Sequence, residues 1–267
     1  MSNEKVGVVV AWHNPSQIKE WCDQWRAWDY QNTPDFLFLE EDRNKEGCAR
    51  TKNKGVRRAM EAGCDIVLVM DDDCFPISEL QGLESWVAAH VQALQPMEVP
   101  MLLPVTNPIS RGTPYATRTI KMPVAASVGF WTHIGDYDAC AQLVRGARTP
   151  MTFNHDPMFG RYFPLCGMNI AFRPKDWLMP DGRLWCEFID VPRFDDIWMG
   201  WLWQREAYRR GDCFNLNGPL VKHSRQSNVW QNLRDESKYL EQNETLWQKI
   251  ATHPQGDYES LKKLLPV

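Results

Sequence analysis

The stretch "VLVMDDDCFP", residues 67–76, decides the fold. Val67 to Met70 form a short, unbroken apolar run, the signature of a strand buried on both faces. The preceding "KNKGVRRAMEAGCD", residues 52–65, reads as an amphipathic helix that ends in a turn around Gly63. A helix feeding a fully apolar strand predicts a parallel strand of an α/β sheet. Asp71, Asp72 and Asp73 then lie at its carboxyl end, where open α/β sheets bind ligands. Three adjacent carboxylates repel one another unless a cation or hydrogen-bond donors are present. An isolated DDD ahead of Pro76 would be a solvated turn. At the end of a buried strand it points to a metal or nucleotide site.

The same alternation extends outward. "VGVVVAWHN" predicts a first strand, and "PSQIKEWCDQWRAW" a helix with Pro15 suited to its first turn. "DFLFLEED" predicts a second strand that also ends in acids. Residues 48–62 predict a helix, 79–95 another, and 100–105 a further strand. The order strand-helix-strand-helix-strand is a Rossmann-type nucleotide-binding half. Residues 106–165 are punctuated by Pro and Gly and predict loops and short strands. "FDDIWMGWLWQREAYRRG" is a helix with Asp195 and Asp196 in its first turn, and residues 230–263 are polar and helical. GxGxxG and GxxxxGK[ST] are absent, against dinucleotide and P-loop chemistry.

With 267 residues, 43% hydrophobic and 24% charged, the composition is that of a globular protein, read here as a single domain. No run is long enough to span a membrane, and the amino terminus enters a strand without a signal-peptide pattern. The eight cysteines contain no CxxC pair. These features together predict a cytoplasmic location, with no zinc site and no disulfide framework. The formal net charge of −4 argues against non-specific nucleic-acid affinity over the whole surface. Its distribution is uneven, however. Residues 43–58 hold seven Lys or Arg and one Glu. Two readings of this run stand level: a solvated helix face, or a positive surface toward phosphates with Arg50 as a donor contact. Val99 to Gly135 contain no acid, while Arg111, Arg118 and Lys121 are basic.

Asp71 and Asp73 straddle one residue at a strand end, so both can face one crevice. Their hard oxygens suit Mg²⁺ or Mn²⁺, which in turn can hold a diphosphate. Asp71 and Asp72 are also candidates for the nucleotide site. Glu40 and Asp42, ending the second strand, are candidates for a ribose hydroxyl or a base edge. In "FPLCGMNIAF", 163–172, Gly167 and Asn169 sit between apolar runs, as where backbone approaches a ligand. His223 follows a short apolar stretch among polar residues and is a candidate nitrogen ligand. His13, His90 and His133 read as structural or exposed. Most of the 13 tryptophans must be core, although aromatic faces also make sugar platforms.

"MDDDC" (70–74), "WTHIGDYDACAQLV" (131–144), "FPLCGMNIAF" (163–172), "RFDDIWMGW" (193–201) and "HSRQSN" (223–228) resemble, in that order, motifs of the reversibly glycosylated polypeptides. That family includes the plant UDP-arabinopyranose mutases and has a GT-A-type glycosyltransferase fold. The resemblance, from about residue 6 to 235, implies an α/β, GT-A-like single domain. Its nucleotide-sugar-binding half would be residues 1–105, its acceptor and catalytic half 106–235, and its helical tail 236–267. It implies a UDP-sugar donor, Mn²⁺ or Mg²⁺ on Asp71 and Asp73 with His223 as late ligand, and Asp195 or Asp196 as catalytic acid/base. "PYATR" matches the family's self-glycosylated arginine and points to Arg118, here followed by the basic "TRTIKMP". Together with the acid-free stretch, this predicts a glycosyltransferase acting on an external hydroxyl, with hydroxymethylated pyrimidine in DNA as the expected acceptor. The alternatives are a UDP-arabinopyranose mutase-like isomerase and a self-glycosylating UDP-sugar-binding protein.

Overall fold

The computed structural model of the chain describes residues 4–27, 36–99, 120–146, 160–224, 228–254 and 257–265. The amino-terminal part alternates as predicted: β1 (Val6–Trp12), α1 (Pro15–Trp25), β2 (Leu37–Glu41), α2 (Cys48–Glu61) and β3 (Ile66–Asp71). After the aspartates come β4 (Cys74–Phe75), α3 (Leu83–Ala93) and β5 (Met97–Val99). The predicted strand at 100–105 lies outside the described residues. Then follow β6 (Ile120–Met122), β7 (Val124–His133), α4 (Ala139–Arg145) and β8 (Asn169–Phe172). The chain continues through α5 (Asp195–Arg210), β9 (Cys213–His223), α6 (Val229–Glu236), α7 (Leu240–Thr252) and α8 (Tyr258–Lys262).

A seven-stranded sheet runs in the order β2-β1-β3-β8-β7-β9-β4. Strand β1 pairs parallel with β2 and β3, and β8 joins β3 antiparallel, Met70 opposite Asn169. Strand β9 runs parallel to β7, and its last residue, His223, stands opposite Cys74 of antiparallel β4. A parallel β-α-β-α-β half continued by such a mixed half is a GT-A-like α/β architecture. This strand order carries the first site into place: β9 returns beside β4, so His223 arrives next to Asp73.

Burial on both faces explains the unbroken apolar runs. Ile66, Leu68 and Met70 pack with Trp21 and Trp25 of α1 and Trp86 of α3. Val67 and Val69 pack on the opposite face, among Val56 and Ala59 of α2 and Trp198 and Leu202 of α5. The pleat therefore turns Asp71 toward α2 and α5 and Asp72 toward α1. Helix α2 lies close to the sheet because of Gly55, where a Cβ would come within 2.3 Å of Val9 Cγ1.

One sequence expectation needs correction. Residues 106–165 read as loops and short strands, yet they supply the ten-residue β7 and helix α4. "VAASVGFWTH" has small residues where strands usually carry large ones. Gly129 shows why: a Cβ there would meet the Asn169 side chain and the Pro219 carbonyl at 2.2 and 2.3 Å. Crowding by neighbouring groups selected small residues and hid the strand.

Candidate active site

Asp71 emerges from β3 on the α2 side, and Lys52 of α2 reaches it there, Nζ 2.5 Å from Oδ1. Lys52 is almost fully buried. Its ammonium also lies 3.4 Å from the Gly167 carbonyl and 5.1 Å from the Phe188 ring centre. Burial works against the charge, but Asp71, Cys48, Asp195 and Asp196 together hold the lysine well above its ordinary pKa. For Asp71 the balance goes the other way. Burial raises its pKa and the nearby Asp73 adds to that, against the pull of Lys52 and His223.

Asp73 is buried beside His223, whose Nε2 is 3.6 Å from Asp73 Oδ2. His223 Nδ1 is 2.9 Å from the Ile134 carbonyl, which can only accept. Burial lowers the His223 pKa, but the Asp73 carboxylate beside Nε2 and the Ile134 carbonyl beside Nδ1 outweigh it and raise the value, so the position between Nε2 and Asp73 favours a proton or another cation. Ser224 N and Oγ donate to the Asp73 carbonyl at 3.0 and 3.3 Å and tie the two strand ends together.

Asp195 and Asp196 open α5 across the crevice. Asp196 Oδ2 accepts from Gly167 N at 2.7 Å and Oδ1 from Ile197 N at 2.8 Å. A Cβ on Gly167 would approach Phe188 Cε1 to 2.4 Å and Asp196 Cβ to 3.1 Å. Glycine at this position lets the loop donate to the carboxylate. Burial, then the charge of Asp195, pushes Asp196 up to about 7, against the opposing pull of Lys52. Burial raises Asp195 as well. An acid poised near neutrality in a cleft suits general acid/base work.

The family model for reversibly glycosylated polypeptides matches residues 60–253. This chain belongs to that family. The matched residues include Asp71, Asp73, Gly167, Asp195, Asp196 and His223, but begin after Lys52. Among its relatives, a probable UDP-arabinopyranose mutase 1 from Pisum sativum is 31% identical over 190 residues, covering 64% of this chain and 50% of its own. UDP-arabinopyranose mutase 3 from Arabidopsis thaliana is 30% identical over 203 residues, covering 69% and 53%. The chain thus spans about half the length of the curated relatives it matches. Among solved structures, a glycosyltransferase involved in glycosylation of the major capsid of PBCV-1 aligns over 88% of this chain and 98% of its own. Its TM-score of 0.36 and 9% identity are too low to carry an argument.

Within this family member the crevice gathers Asp71, Asp73, Gly167, Asp195, Asp196 and His223, and leaves the other candidates elsewhere. Glu40 is 1% exposed and paired with Arg58 and with Lys54 at 3.0 Å, both from α2. The Asp42 carboxylate accepts from Glu46 N and Gly47 N at 2.6 and 3.1 Å and holds the turn into α2. Arg50 is exposed and bonded to Asp190 at 2.5 Å. Arg57 and Arg58 are likewise met by Glu187 and Glu40, so the basic run is a neutralised helix face. Asp72 is buried in the turn, its carbonyl accepting from Gln17 Nε2 at 3.2 Å. Asn169 is fully buried: Oδ1 accepts from Trp86 Nε1 and faces His90 Nε2 at 2.8 Å, and Nδ2 donates to Pro219 O at 2.8 Å. It knots α3 to the sheet, and burial lowers His90 to about 4, keeping the ring neutral. Arg111 and Arg118 lie outside the described residues. Lys121 is exposed on β6, opposite Glu98.

Two residues of the site escaped the sequence reading. Lys52 has a legible signal, since it occupies the buried stripe of α2 with Ala49, Val56 and Ala59. Asp136, in the loop after β7, lies 3.6 Å from both Arg193 Nη2 and Cys166 Sγ, and its charge acts on His223 and Asp196. Arg193 also binds Glu236 Oε1 at 2.9 Å, and Glu236 accepts from Ala139 N at 2.7 Å. His133 and Arg193, flanking this cluster, have φ of 74° and 70°, left-handed backbone that non-glycine residues hold only when surroundings impose it.

Asp71 and Asp73 supply the hard oxygen donors that Mg²⁺ and Mn²⁺ prefer, and the His223 imidazole favours Mn²⁺ of the two. Among the described residues no three His, Cys, Asp or Glu groups lie close enough to close around one ion in this conformation. In this arrangement the Lys52 ammonium, 2.5 Å from Asp71 Oδ1, supplies the positive charge beside that carboxylate. The donor chemistry and the demand for a cation fit the metal.

Proposed function

We propose that this chain binds a UDP-sugar and acts as a UDP-sugar mutase of the UDP-arabinopyranose mutase type. The observation that carries this reading is the Asp196 carboxyl. It is held by Gly167 N–H and pushed up to about 7, in the same crevice as Asp71, Asp73 and His223. In such a reaction the bond from the anomeric carbon to the diphosphate breaks. Ring closure on that carbon passes from one sugar hydroxyl oxygen to another, and the same diphosphate bonds again. No atom is gained or lost. Asp196 would accept the proton of the closing hydroxyl and return one to the oxygen released, and Asp195 beside it would favour positive charge at the anomeric carbon. A divalent ion on Asp71, Asp73 and His223 would supply Lewis-acid stabilisation of the departing diphosphate.

No observation on the described residues favours DNA as acceptor. Lys121 faces an acid across its strand pair, and the cations near the crevice are internally paired. No helix among the described residues is long and apolar enough to cross a membrane. Titration calorimetry with UDP tests the donor half of the reading. Binding should be saturable with Mn²⁺ present and at least about tenfold weaker after chelation, as for a metal that bridges protein and phosphates. Absence of UDP binding under both conditions would reject the donor assignment.

A further inference from the structure

Lys52 lies in the crevice, and the reading above leaves it without a task. Lysine is almost never fully buried unless paired, because desolvating an ammonium costs several kcal/mol. Here α2 turns its other basic residues outward onto Asp190, Glu187 and Glu40, and turns this one inward. Its Nζ lies against Asp71 Oδ1 at 2.5 Å, against the Gly167 carbonyl at 3.4 Å and over the Phe188 ring. Gly167 in turn donates to Asp196, so a single ammonium touches both the strand-end carboxylate and the loop that positions the acid pair.

We propose that Lys52 is a displaceable internal cation: it occupies Asp71 in the free protein and transfers to the diphosphate when a UDP-sugar enters, so that divalent metal and donor bind interdependently. The proposal rests on the UDP-sugar and metal reading above. Its argument is competition for one carboxylate. A divalent ion takes carboxylate oxygens at about 2.0–2.6 Å. An ammonium 2.5 Å from the same oxygen repels that ion strongly in a partly desolvated crevice. A metal arriving alone must therefore displace Lys52 from its ion pair and leave a buried ammonium with the Gly167 carbonyl but without its carboxylate partner. An anion bound to a metal on Asp71 is necessarily beside Lys52 and gives it a new partner. By linkage, the donor must then raise metal affinity by the same factor by which metal raises donor affinity.

Lys52→Met separates this from a merely structural role. If Lys52 only held Asp71 in place, its loss would weaken Mn²⁺ binding. If it competes for Asp71, its loss strengthens binding of Mn²⁺ alone while weakening binding of UDP alone. The experiment uses the full chain. Mn²⁺ alone is titrated by electron paramagnetic resonance, UDP alone by calorimetry, and each again with the other at saturation. In the wild type, UDP should tighten Mn²⁺ binding by about tenfold or more, within the usual range of site coupling. In Lys52→Met, Mn²⁺ alone should bind about tenfold tighter than in the wild type, and the coupling should fall by about the same factor, leaving only what direct contact between metal and phosphates supplies. Mn²⁺ should also raise the melting temperature of the variant more than that of the wild type. Lys52→Arg, which keeps the charge, should preserve weak binding of Mn²⁺ alone, and it decides the matter if the methionine variant fails to fold. Equal or weaker Mn²⁺ binding by Lys52→Met, or Mn²⁺ binding in Lys52→Arg as tight alone as with UDP, overturns the proposal and leaves the metal reading standing. A wild type that binds no Mn²⁺ with or without UDP overturns both.

Discussion

Asp73→Asn lowers turnover by at least about a thousandfold, roughly 4 kcal/mol, the scale expected when a Lewis-acid ligand is lost. Its fold survives, for a reason specific to this site. Ser224 holds the Asp73 backbone carbonyl through both N and Oγ, and neither bond involves the carboxylate. The carboxylate faces His223 Nε2 instead. Turnover measured with and without Mn²⁺, together with a thermal melt, checks the expectation. The activity of Asp73→Asn should be insensitive to added metal, and its melting temperature within a few degrees of wild type. Wild-type turnover in this variant would remove Asp73 from the site. A collapsed melting temperature with normal residual turnover would reduce the DDD run to the solvated turn that its composition alone suggests.

Asp196→Asn loses turnover by at least about a hundredfold, the range of general acid/base catalysis, and keeps its affinity for UDP. The pH profile identifies the cause. Burial and the Asp195 charge raise the Asp196 carboxyl to about 7, so as a base it is charged only above that value. Wild-type kcat/KM should therefore fall as pH drops through about 7, and the residual rate of the Asn variant should lack that limb. The stability sign is opposite to that of a paired surface carboxylate. The folded value lies above the ordinary 3.8, so the native state binds the extra proton between 3.8 and about 7. This group's contribution to stability declines as pH rises through that window. Melting curves across it should show a steeper decline for wild type than for Asp196→Asn. A normal rate in the Asn variant would leave Asp196 as a helix-terminal acid worth about 0.3–1 kcal/mol.

These two residues were legible for different reasons. Asp73 was marked by its position at the end of an apolar run, where a carboxylate has no packing role. Asp196 was marked by a pair of acids opening a helix, a pattern that helix electrostatics alone would also produce. Only its bond from Gly167 N–H and its neighbour Lys52 distinguish it, and both are tertiary. Asn169 misled because a polar residue between apolar runs serves equally well in a ligand loop and in a buried knot; the partners Trp86 and His90 come from a helix about eighty residues away in sequence. Glu40 and Arg50 lie in ion pairs that a local run of charge does not reveal: Glu40 is met by Arg58 and Lys54, and Arg50 by Asp190. Lys52 could have been found, as the single charge on the apolar stripe of α2. Strand β7 was harder to find, since Gly129 in its middle answers to the Asn169 side chain and the Pro219 carbonyl, partners distant in sequence.

The most direct measurement is one incubation of the full chain with UDP-arabinopyranose and Mn²⁺, the products separated by chromatography and identified by mass and NMR. The mutase reading predicts a UDP-sugar of unchanged mass whose ring is the furanose form, with no free UDP accumulating and no acceptor required. Release of UDP without any isomer, or release that depends on an added hydroxyl acceptor such as hydroxymethylated DNA, would contradict it.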